Sequence, residues 1–127
     1  MSSKIPDKFI KLKNKIIESM IDYMKPEEDD DEYFDPGYTK IEVNKCDSIL
    51  MSYLSSVFEP ATQGSAEKIM ALVKSSILFL NDLNEQCDGS LIETDQREDI
   101  CELIISSAAQ VGLESQDYDI TEQWREW

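Results

Sequence analysis

In four separate stretches of this chain, apolar side chains return at every third or fourth position, and nowhere is there sustained apolar/polar alternation bounded by hairpin turns. From Pro6, the residues Phe9, Leu12, Ile16, Met20 and Met24, widened by Ile10, Ile17 and Ile21, trace one face of a helix. Pro26 ends it, because a proline restricts the residue before it, so a first helix is predicted over 6–24. Thr39 and Glu42 have the spacing of a capping box, in which each side chain satisfies an orphan backbone donor of the other. Val43, Cys46, Ile49, Leu50, Tyr53, Leu54 and Val57 follow on one face and predict a second helix over 40–58.

"EPATQGS" then makes a short connection, with Ser65 placed to cap a third helix that carries Ile69, Leu72, Val73, Ile77, Leu80 and Leu83 and stops at Gly89. Asp95 and Glu98 repeat the capping-box spacing ahead of Ile100, Leu103, Ile104, Ala108 and Val111, and Gly112 stands where a helix ends in a left-handed residue. In "YDITEQWREW", Asp119 and Glu122 have the same spacing, and Ile120, Trp124 and Trp127 share a face. That pattern predicts a short fifth helix docked as a lid; the competing reading leaves the two tryptophans exposed as anchors for a partner.

Each helix is too apolar on one face to stand alone. The expected fold is therefore all-α: an antiparallel four-helix bundle-like domain with a short C-terminal fifth helix, one domain over 1–127 with an acidic loop at 26–38. A chain of 127 residues buries roughly two thirds of the surface that its unfolded form exposes, enough for one core. Its 41% of apolar residues separates it from disordered acidic chains.

The sequence holds no histidine, which removes Ser-His-Asp and Cys-His catalysis and every imidazole-ligated metal site. Glu98 and Glu102 lie one helical turn apart, but the Glu-x-x-His partner of a di-metal carboxylate site is missing, and a solvated helix face is the simpler reading. A calcium loop starting at Asp29 would need a donor at its fifth position and Gly at its sixth, where Tyr33 and Phe34 stand. No glycine-rich phosphate loop is present, and Cys46, Cys87 and Cys101 match no zinc or redox spacing, as expected of reduced core thiols. No cofactor, no metal and no catalysis are expected. The longest apolar run, Ile77 to Leu80, falls far short of the about 20 residues that a membrane span needs, and no export signal precedes the first helix; a cytoplasmic protein is expected.

Charge is unevenly divided. Residues 1–25 carry six Lys against three acids, while the remainder carries 6 basic and 24 acidic residues, for a total of −15. Such a surface repels nucleic acid and anionic membrane alike. Lys4, Lys8, Lys11 and Lys15 form a basic stripe on the first helix, read as a solvated face that pairs with acidic helix four.

The most concentrated charge is in "KPEEDDDEYFDPGY", where Glu27, Glu28, Asp29, Asp30, Asp31 and Glu32 run directly into Tyr33, Phe34, Asp35 and Tyr38. Neighbouring carboxylates repel by about 1 kcal/mol per pair even in water, so the stretch is expected as an exposed loop. Either it only solubilises, or it captures a basic protein, with charge speeding the encounter and an aromatic ring slowing dissociation. In size, charge, helical pattern and the "EEDDDEYFDPGY" cluster, the chain resembles the small acidic helical immunity proteins of bacteria. That resemblance implies a basic nuclease toxin as the partner; a monomer when free is expected from the apolar faces and caps of the helices themselves. The alternative is a non-catalytic helical adaptor or complex subunit with an incidental acidic loop.

Overall fold

The computed structural model describes residues 5–24, 37–113 and 120–127, and all regular secondary structure among them is helical. Four helices follow in order: α1 (Asp7–Met24), α2 (Lys40–Val57), α3 (Ala66–Gln86) and α4 (Thr94–Gln110).

Sequential neighbours run in opposite directions. The Phe9 ring, at the start of α1, lies 5.4 Å from that of Phe58 at the end of α2, whereas Met20 near the end of α1 meets Tyr38 just before α2. Ser19 and Lys15 of α1 reach Gln96 and Asp99 of α4 in the same reversed sense. One core results: Ile16, Met20, Leu50, Leu54, Ile77 and Ile104 are among its fully enclosed side chains. Ile10, Leu12, Ile21 and Met24 pack against it while partly open, so the widened α1 stripe is only half covered.

Local chemistry explains the boundaries. At α2 the capping box forms as expected: Thr39 N–H donates to Glu42 Oε1 at 2.7 Å, and Thr39 Oγ1 accepts from Ile41 N–H. Ser65 caps α3 by accepting from Lys68 N–H. α4, however, starts earlier than the Asp95/Glu98 spacing indicated. Glu93 is its N-cap, and Gln96, not Glu98, reaches back to accept from Glu93 N–H at 3.1 Å. Gln96 is buried and also donates to Ser19 Oγ, so this cap is tied to α1, which the exposed Asp95 cannot match.

The end of α3 also differs by one residue. Asp88 (φ 53°) occupies the left-handed position, with Asp88 N–H on Glu85 O and Gly89 N–H on Asn84 O, the two reversed bonds of a Schellman turn. A carboxylate at a helix C-terminus meets the negative end of the dipole, and a Cβ disfavours this backbone. Asp88→Gly is therefore expected to stabilise the fold by about 1 kcal/mol, read as a rise in the urea midpoint at unchanged slope. No rise would remove strain at Asp88 from the account.

Past α4 a second Schellman turn has Gly112 (φ 107°) in that position. Here glycine is needed twice over, because a Cβ would stand 3.2 Å from Gly64 Cα, where the α2–α3 connection crosses and Gly64 N–H donates to Val111 O.

The expected fifth helix does not form. Residues 120–124 make a turn, with Trp124 and Arg125 N–H both on Thr121 O, and residues 125–127 have no regular structure. Capture by α3 competes with helix continuation: Asn81 donates to Trp124 O at 2.7 Å and accepts from Glu126 N–H at 3.0 Å, the N–H that a helix would donate to Glu122 O. The docked placement of the tail does hold, with Ile120 buried and Trp124 and Trp127 packed partly exposed against the core.

Candidate functional site

Of the residues singled out for partner binding, Glu27, Glu28, Asp29, Asp30, Asp31, Glu32, Tyr33, Phe34 and Asp35 lie outside the described residues. Tyr38 is described, and it is not a surface anchor. Its ring is buried and its hydroxyl donates to Met20 O at 2.8 Å. Burial, with smaller contributions from Tyr23, Glu93 and Cys87, pushes its phenol up to about 12, so it remains a donor at every physiological pH. The physical reason is local: two residues before the first turn of α2, an aromatic ring covers the last turns of α1, and its hydroxyl adds a second hydrogen bond to a carbonyl of that helix.

Gly37, just before it, takes φ 90° and fits so closely against Ser90 that a Cβ would stand 2.6 Å from the Ser90 side chain. Met24 and Gly37, between which the acidic stretch runs, are thus both held at one end of the molecule. The end of α1, the start of α2, the end of α3 and the start of α4 meet there. Because that end gathers two helix N-termini and two C-termini, the dipoles largely offset, and side chains set the sign. Asp22, Glu85, Asp88, Glu93 and Asp95 are exposed there, against the exposed Lys40 and Lys45 and the half-buried Arg97. No basic residue occupies the last turn of α1 or α3. Hydrogen bonds from Thr39, hydroxyl first and backbone second, hold the Glu42 carboxyl below its ordinary value and keep one more negative charge at this pole.

Among the described residues, the aromatic ring that is open at this pole is Tyr23. It is 45% exposed and stacked on Tyr38, with centroids 6.4 Å apart and planes 13° from parallel. Sequence reasoning missed it because Tyr23 was not part of the acidic cluster. Its signal was its place one turn before Pro26, off the apolar stripe.

Elsewhere the basic stripe behaves as expected at one point, where Lys15 reaches Asp99 of α4 at 3.5 Å across a largely open surface. Such a pair contributes little. Lys13, outside the stripe, is the buried one, and its ammonium donates to Asp47 at 2.6 Å. All three cysteines are buried and unpaired by disulfide; burial pushes Cys46 up to about 12 and raises Cys87 too, so neither supplies a ready thiolate. Among the described residues no group of three acidic or cysteine side chains is gathered to hold a metal ion. None of the described helices is long and apolar enough to cross a membrane.

A second feature lies between α2 and α3. Ser48, Ser52 and Ser56 recur every four residues along α2 and floor a groove of about 290 Å³, walled by Leu72 and Phe79 of α3. It opens toward Ile41, Lys45 and Asp82. Phe79 is 60% exposed at its edge and Ile41 64%. No protein-family model, curated protein or solved structure matches the chain.

Proposed function

We propose that this chain is a non-catalytic, acidic protein-binding module, bundle-like in build and of the inhibitor or immunity type, that captures a basic protein such as a nuclease toxin in the cytoplasm. The observation that carries this reading is the pole around Tyr23. An open aromatic ring follows Asp22 and is braced from behind by Tyr38, which has Glu93 near it, at the end of the molecule that holds Met24 and Gly37, the described residues on either side of the acidic stretch. Carboxylates steer a basic partner, and a ring with a fixed backing gives it something to bury at little entropic cost. The groove between α2 and α3 favours the adaptor reading instead, since it is apolar and carries almost no charge.

The two readings separate kinetically. A basic partner recovered on the immobilised chain at low salt should bind with an on-rate that falls steeply as salt rises. Changing Asp29, Asp30 and Asp31 to Asn should slow association, whereas Tyr23→Ala or Phe34→Ala should hasten dissociation and cost about 2 kcal/mol. If all three variants bind the recovered partner as the unaltered chain does, the pole is not the interface.

A further inference from the structure

We infer that the α2–α3 groove is a self-association surface, where a second copy of the chain packs about a two-fold axis parallel to the two helices. This inference is independent of the acidic pole. Two copies that each carry −15 repel wherever their acidic surfaces meet, so self-association requires a face without net charge. The groove is such a face: Lys45 and Asp82 are the charged side chains that line it, and neither is ion-paired among the described residues.

The groove is also complementary to itself. A two-fold axis along it lays α2 of one copy over α3 of the other at the same level. Lys45, on the α2 wall, then faces Asp82 of the second copy, and Asp82 faces its Lys45. Phe79 stands level with the serines of α2 that line the same hollow, Ser48 and Ser52. Its exposed ring therefore enters the space that those small side chains leave. An isologous interface requires this reciprocity, in which each contact occurs twice.

The size of the face sets the strength. From Ile41 to Ser56 the strip is about 22 Å long at 1.5 Å per residue and about 20 Å wide across two helices. It therefore falls at the low end of specific interfaces, as a weak, concentration-dependent dimer.

Sedimentation equilibrium of the full chain, over concentration and salt, tests this. The dimer should tighten as salt rises, because screening removes repulsion between like-charged copies; the capture of a basic partner at the pole weakens with salt. Phe79→Glu should weaken the dimer at least about tenfold, with helical circular dichroism unchanged because the ring is exposed. Lys45→Asp and Asp82→Lys should each weaken it, and the double exchange should restore it, a rescue that loss of fold would not produce. A chain that stays monomeric at high concentration and high salt, a dimer indifferent to Phe79→Glu, or a groove filled by a different protein while the chain stays monomeric would overturn the inference.

Discussion

Removing residues 120–127 is expected to destabilise the fold by about 4 kcal/mol or more, measured by urea unfolding. Ile120 is 1% exposed, and Trp124 and Trp127 cover the core beside it. Without the tail, the Asn81 side chain loses its acceptor on Trp124 and its donor on Glu126, so a buried amide is left to find water. That loss is a large fraction of the stability of an ordinary domain. Asn81→Ala is the milder form and should cost about 1–2 kcal/mol, the scale of losing two part-buried hydrogen bonds. Native tryptophan fluorescence should be blue-shifted and should move red in Asn81→Ala; the truncated chain loses both tryptophans, and its unfolding is followed by circular dichroism. A truncated chain as stable as the whole would show that the tail only rests on the surface.

The second large effect is expected at Gly37. Gly37→Ala asks an L-residue to adopt φ 90° and drives a Cβ to 2.6 Å from Ser90, for a combined cost of about 2–4 kcal/mol. The two causes separate in a double-mutant cycle: Ser90→Gly removes the obstruction but leaves the backbone conformation, so it should recover only the steric share. If Gly37→Ala unfolds at the same urea concentration as the unaltered chain, Gly37 is not held against Ser90 as this fit requires. Because Gly37 and Tyr38 form the post at one end of the acidic stretch, the variant should also weaken partner binding in a way that unfolding alone does not explain.

The helices were legible because their boundaries rest on local chemistry. Thr39 with Glu42, Ser65 and Gly112 all act as their sequence spacing indicates, and the apolar stripes of α2 and α3 are the buried faces. What was not legible depends on partners distant in sequence. Gln96 outcompetes Glu98 as the capping side chain of α4 because Ser19, on another helix, takes its amide. The tail has the period of a helix, but Asn81 takes its backbone groups into side-chain hydrogen bonds. Lys13 sits between Leu12 and the buried Ile16 and Ile17, and reads as solvated until Asp47 of α2 comes within 2.6 Å. Tyr38 was misread for the same reason. Tyr38 follows the acids in sequence, yet the end of α1 needs a cover, so Tyr38 goes inside and Tyr23 remains outside.

The capture of a basic protein at the acidic pole is tested most directly by locating the bound surface. Titrating the recovered basic partner into the 15N-labelled chain, with amide shifts followed by NMR, reads every helix at once. Shifts are expected to cluster at Tyr23, Gly37, Tyr38, Ser90 and Glu93 and to shrink with added salt. Shifts confined to Ser48, Ser52 and Phe79, with the pole unmoved, would contradict the account.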